Sequence, residues 1–147
     1  MKNFHLYLIL VIAVILRSYY LMTNAGDLSF PNLGGDPCHH YNIAYNISKG
    51  LGPTTSFIFS YWFEHHNIPA LTDVYPPGFH YFASFFLLIN DSYNSGRFAN
   101  FLISIITILL IYFTGKKIHS QKLGLIAAFI ISLNYFHIEN SKVFMTV

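Results

Sequence analysis

Charge is what this sequence has least of. Only 10% of its 147 residues are Asp, Glu, Lys or Arg, against about 25% in an ordinary soluble domain. That shortfall, with the long apolar runs, argues against a soluble domain. The acids number six: Asp27, Asp36, Glu64, Asp73, Asp91 and Glu139. The formal net charge is +2, so there is no basic excess of the kind that marks a nucleic-acid-binding protein. A single cysteine, Cys38, rules out an internal disulfide. No small-x-small cleavage site stands before Asn24. The apolar stretch ahead of it therefore reads as a retained anchor rather than a signal peptide.

What is present is apolar and aromatic: 54% hydrophobic residues, 15 Phe and 11 Tyr. Three stretches have the length needed to cross a bilayer, about 17–25 residues. They are residues 4–22, 98–114 and 123–138. The expectation is an all-α, polytopic membrane chain with about three spanning helices. Arg17, near the end of the first span, is expected to snorkel to the interface beside Tyr19 and Tyr20. Gly124, Ala127, Ala128 and Ser132 in the third span are small enough for close helix packing. A fourth apolar stretch, PGFHYFASFFLLIN from Pro77 to Asn90, has a core too short to span. It reads as a helix at the interface, started by Pro76 and Pro77.

The connection GKKIHSQK carries Lys116, Lys117 and Lys122 and no acid. Cytoplasmic loops are rich in Lys and Arg, which places this loop and Met1 on the cytoplasmic side. Residues 24–96 then form a long loop on the outer face. The membrane is the plasma membrane of a prokaryote, or the endoplasmic reticulum with the loop in its lumen. Within that loop Tyr41, Ala44, Tyr45 and Ser48 have helical spacing, ended by Gly50, Gly52 and Pro53. The aromatic run Ser56–Phe63 is expected to rest on the membrane surface.

Two short stretches carry candidate chemistry. In GGDPCHHY, residues 34–41, Asp36 precedes Pro37 at the start of a helix. The plain reading is an N-cap. The functional one is a carboxylate kept ionised by the helix dipole, serving as a base or a metal ligand. His39 and His40 are neighbours and point about 100° apart on a helix, so they suit one ion poorly. Asp36 with His40 is better spaced. Glu64, His65 and His66 form a second polar cluster, and no zinc-binding spacing occurs anywhere. The second stretch is YPPGFH, residues 75–80, a stiff turn into a helix. Arg97 follows at the head of the second span, where it either snorkels or holds a phosphate through its planar fork. Asn46-Ile47-Ser48 and Asn90-Asp91-Ser92 match the glycosylation triplet, a pattern common by chance.

The ordered set resembles the N-terminal region of the GT-C glycosyltransferases, membrane enzymes that take sugars from polyprenyl-phosphate carriers. The parts that carry it are GGDPCHHYNIAYNISKGLG, YPPGFHYFASFFLLI, SGRFANFLISIITILLIYFTGKKI and KLGLIAAFIISLNYFHIENSKVF. No one motif is stringent, and many mannosyltransferase-like members carry Asp-Glu where this chain has Asp36-Pro37.

The resemblance implies that residues 1–147 are the N-terminal portion of a single transmembrane domain, with further membrane helices C-terminal to it. The chain alone is then not expected to be competent for catalysis. It implies transfer of a sugar from a polyprenyl-phosphate-linked donor to an acceptor at the outer membrane face. Asp36 would be the catalytic carboxylate. Arg97, His40, Tyr41 and Lys142 would contact substrate, and a divalent metal, Mg or Mn, would sit on Asp36 and His40. A different class remains open: a small non-enzymatic membrane protein acting as a helix-bundle subunit or scaffold.

Overall fold

A computed structural model describes residues 4–23, 36–56, 70–71 and 75–144. The elements are α1 (Phe4–Thr23), α2 (Asp36–Ser48), β1 (Thr54–Thr55), β2 (Ala70–Leu71), α3 (Gly78–Ile89), α4 (Tyr93–Ile118), α5 (Gln121–Leu133) and α6 (Tyr135–Asn140). The fold is all-α but for one two-residue ladder, which pairs Thr54 with Leu71 and Thr55 with Ala70. The chain divides into two compact units, Met1–Gly26 with Asn100–Val143, and Asp27–Ala99 with Phe144–Val147.

The first unit is built on α1, residues 100–118 of α4, α5 and α6. Helix α1 spans 20 residues and α4 spans 26. At 1.5 Å per residue these are about 30 and 39 Å long, enough to cross a hydrocarbon layer of about 30 Å. Leu6, Ile9 and Ala13 on α1 form a buried stripe against Ile108 and Tyr112 on α4 and Ala128 on α5. The opposite faces carry exposed Tyr7, Leu8, Val11, Ile15, Leu110, Phe113, Ile126 and Ile130. Large apolar side chains turned outward around a core that holds Arg17, Ser104 and Ser132 are what a lipid surrounding demands.

Small residues set the spacing of α4 and α5. A Cβ added to Gly124 would lie 2.4 Å from the carbonyl oxygen of Tyr112, and one on Gly115 would lie 2.9 Å from the Cα of Gly124. Gly124, Ala128 and Ser132, four residues apart, are the buried face of α5. The close packing expected from these small residues is therefore present.

Three expectations are corrected. Helix α4 begins at Tyr93 rather than Phe98 and runs on to Ile118. The Oγ of Ser92 accepts from the backbone N–H of Ser95 at its start, so the polar run 93–97 is helical and Arg97 lies inside the second turn. The third span is not one helix. Asn134 ends α5 and opens α6, its Oδ1 accepting from the N–H of His137 at 3.0 Å. Among the described residues only α1 and α4 have the length and apolar character to cross a membrane as single helices.

The third correction concerns Arg17, which does not snorkel. Its side chain is fully buried. Nη1 donates to the carbonyls of Ser132 at 3.1 Å and Ala13 at 3.3 Å, and Nη2 reaches Ile131 O at 3.5 Å and His137 Nδ1 at 2.6 Å. The physical reason is the break at Asn134. The last carbonyls of α5 lose their helical partners there, and a cation at a helix C-terminus satisfies them.

The second unit is built on α2, α3, residues 93–99 of α4 and Phe144. Its core holds Ala44, Ala83, Leu87, Tyr93, Ala99 and Phe144, bordered by Tyr41, Tyr45, Phe79 and Phe86. Helix α2 ends as its glycines foretell. Gly50 has φ +79°, its N–H bonds to Ile47 O, and the N–H of Leu51 bonds to Asn46 O at 2.9 Å. This is the left-handed C-terminal motif that favours glycine. Helix α3 starts directly after Pro76-Pro77 and has 12 residues, about 18 Å, too short to span. Most of the aromatic run Ser56–Phe63 lies outside the described residues.

Candidate functional site

Asp36 is the first residue of α2, where the unpaired N–H groups and the positive end of the helix dipole favour a carboxylate. The surroundings of its side chain lie outside what is described, as do Glu64, His65 and His66. His40 stands one turn further along α2. It is buried, and its Nδ1 lies 2.8 Å from the Nε2 of His80 on α3. The two rings are nearly parallel, 19° between planes and 5.0 Å between centroids. The ring of Tyr75 lies 4.4 Å from His40, and Phe79 meets His40 edge-on at 6.3 Å. YPPGFH is thus not only a helix entry: Tyr75, Phe79 and His80 all close on the histidine of the other stretch.

The His40–His80 contact joins two buried imidazoles, so one ring must donate and the other accept. Burial pushes the His80 pKa below its usual range, opposed in part by the Pro76 carbonyl. The neutral form is therefore the one that belongs here.

Tyr41 lies on the other flank of α2. Its ring meets Tyr93 at 5.5 Å and Phe144 at 6.0 Å, both edge-on. Burial, and then the charge of Asp91, raise its pKa, so the hydroxyl stays protonated. Asp91 itself pairs with Lys49 at 2.8 Å on the surface, an arrangement of small energetic weight. Arg97 sits one turn beyond Tyr93 on α4 and is buried, its Nη1 donating to Asn94 Oδ1 at 3.1 Å. Gly96 beside it is required. A Cβ there would stand 2.2 Å from the ring of Phe144.

Four sequence-predicted residues, Asp36, His40, Tyr41 and Arg97, thus belong to the second unit, whereas Lys142 belongs to the first. Lys142 pairs with Glu139 at 2.5 Å and lies over the ring of Tyr20 at 5.8 Å. Its turn is held by Asn100, whose Nδ2 donates to the carbonyls of Asn140 and Val143.

His80 is the residue that sequence reasoning did not assign. It is 40 positions from its partner, and no spacing rule links them. As to the metal expected on Asp36 and His40, the Nδ1 of His40 faces His80 rather than a free position. Among the described residues no three His, Cys, Asp or Glu side chains gather in a way that could hold an ion. Asn46, of the first glycosylation triplet, is buried and donates to Thr54 O at 3.0 Å and Ser56 Oγ at 3.2 Å. It ties α2 to the strand and is in no position to carry a glycan.

The model of the dolichyl-phosphate-mannose-protein mannosyltransferase family matches residues 74–146. That stretch covers α3, α4, α5 and α6 and contains Tyr75, His80, Arg97 and Lys142. No curated protein and no solved structure matches the chain. The family match over residues 74–146, on helices long and apolar enough to cross a bilayer, supports a membrane glycosyltransferase of the GT-C type.

Proposed function

We propose that the protein transfers a sugar from a polyprenyl-phosphate-linked donor to an acceptor at the outer face of the membrane. The observation that carries this reading is the family match over residues 74–146, joined to the second unit's arrangement. There α2, which begins at Asp36, is fastened to α3 through His40 and His80. The Lys116, Lys117 and Lys122 connection supports an orientation with residues 24–96 outside.

In this reading the Asp36 carboxylate takes the proton of the acceptor as its heteroatom bonds to the sugar's anomeric carbon. The bond from that carbon to the phosphate oxygen breaks, and the electron pair leaves with the polyprenyl phosphate. Arg97 is the cation for the phosphate, and a bidentate fork suits it. Tyr41, which borders the core of the second unit, contacts substrate in this reading. His40 and His80 do not touch the reacting atoms. They fix the helix on which Asp36 sits.

The test is transfer of label from polyprenyl-phosphate mannose in membranes holding the protein. Asp36→Asn is expected to lower the rate by about 100-fold or more, the usual worth of a positioned base. Undiminished transfer by that variant would remove Asp36 from the mechanism. No transfer by the wild type from any polyprenyl-phosphate sugar would end the reading.

A further inference from the structure

The hairpin of α4 and α5 leaves a groove on the first unit that the proposed chemistry does not use. Its volume is about 390 Å³, and its walls include Leu110, Ile111, Thr114, Ile118, Leu123 and Ala127. That size falls in the range of about 300–1,000 Å³ typical of small-ligand sites. The lining is apolar apart from threonine hydroxyls. One of these, on Thr107, is already spent on the carbonyl of Ile103. Gly115, which lines the groove, is where the two backbones come together against Gly124.

At the hairpin end of this groove the character changes. Lys116 and Lys117 close α4, and Lys122 lies in the first turn of α5. All three are exposed. No acid occurs in residues 115–122. The amino end of α5 starts at the same place and adds positive potential. Three cations at the helix ends thus lie within one to three residues along the chain of Gly115, Ile118 and Leu123, which line the groove.

We propose that this groove binds one phospholipid with an anionic headgroup, its acyl chain along α4 and α5 and its phosphate among Lys116, Lys117 and Lys122. Each half of the ligand answers one half of the site. A free phosphate would leave the groove empty, and a zwitterionic lipid would gain little from the lysines. Basic pockets between membrane helices hold acidic headgroups for the same reason.

The test uses the purified protein in neutral micelles, where membrane orientation has no meaning. Native mass spectrometry follows phosphatidylglycerol and phosphatidylcholine of equal chain length. The expected result is one retained phosphatidylglycerol per protein, with phosphatidylcholine at least about tenfold weaker. Replacing Lys116, Lys117 and Lys122 together by Gln should weaken phosphatidylglycerol binding by about 100-fold, at about fivefold for each cation. Ala127→Trp fills the groove with the lysines intact and should also weaken it, by about tenfold or more. Should Ala127→Trp fail to fold, Leu110→Trp at the open edge of the groove replaces it. Equal retention of both lipids overturns the proposal. So does undiminished binding by a folded Trp variant, which would leave only surface charge. A wild-type dimer that the Trp variant converts to monomer would show that a second copy fills the groove, and would overturn it too.

Discussion

The Nη1 of Arg17 donates to the main-chain carbonyl of Ser132 across 3.1 Å, so the buried cation of α1 caps the carboxyl end of α5. A neighbouring carbonyl, that of Ile131, and the Nδ1 of His137 complete its surroundings. The break between α5 and α6 is stabilised from another helix.

Replacing Arg17 should therefore cost stability rather than solubility. Arg17→Met keeps the bulk and removes the donor from the carbonyl of Ser132, whereas that of Ile131 keeps the N–H of Asn134. A loss of about 2 kcal/mol is expected, the cost of an unsatisfied buried acceptor less the relief of a desolvated charge. Arg17→Lys should recover part of it. Reversible unfolding in mixed micelles measures both, and an unchanged midpoint for Arg17→Met would show that the contact carries no weight.

Stability of the second unit should fall in mild acid. Burial lowers the His80 pKa from its usual 6.5, so the unfolded chain binds this proton more readily than the native one. The stability due to the neutral ring is whole above about pH 6.5 and drains as pH drops below that towards the lowered value. The melting temperature should decline from pH 7.5 to 5.5. His80→Phe, which cannot be protonated, should flatten that decline. The same slope in the variant would assign the effect to other groups.

Contact between α4 and α5 leaves no room at Gly124. A methyl group there meets the carbonyl oxygen of Tyr112 at 2.4 Å, and that oxygen belongs to backbone that cannot step aside. Gly124→Ala should cost about 1–3 kcal/mol and Gly124→Val more. Gly78→Ala, whose Cβ meets nothing within 4 Å, is the control. Unfolding midpoints of the three variants decide the matter, and equal values for Gly124→Ala and Gly78→Ala would refute the close approach.

Orientation is tested by thiol labelling. Asn90 and His119 are both exposed, and the native Cys38 is buried. With Asn90→Cys an impermeant reagent should label intact cells, and with His119→Cys it should not. The reverse pattern would turn the lysine connection outward and move Asp36 to the cytoplasmic side.

Much of this architecture could be read from residue order. The spans at α1 and α4, the proline start of α3, the glycine end of α2 and the Gly124–Ala128–Ser132 face follow from local rules. The burial of Arg17 was not foreseen, although it stands four residues after Ala13 on the stripe that Leu6, Ile9 and Ala13 begin. Its appearance near the end of a span hid that.

The division at Asn134 was not legible, since LNYFHI is as apolar after the asparagine as before it. What settles it is a partner on α1, more than a hundred residues earlier. The early start of α4 was masked by polar residues in its first turns. The His40–His80 pair depends on how α2 docks on α3, and no spacing foretells it. Of the candidate site, Asp36 at the head of a helix was foreseen. The aromatic box around His40 was not.

The distance along the chain between Arg17 and Ser132, 115 residues, has a consequence for biosynthesis. The guanidinium leaves the ribosome long before the carbonyl it will serve. Until α5 arrives, the first helix carries an unmatched cation that lipid does not tolerate at depth. It must wait tilted or shallow, with the headgroups as its temporary ligand. Final seating of the amino-terminal helix is then a late event, completed only when the chain around Asn134 has folded back upon it.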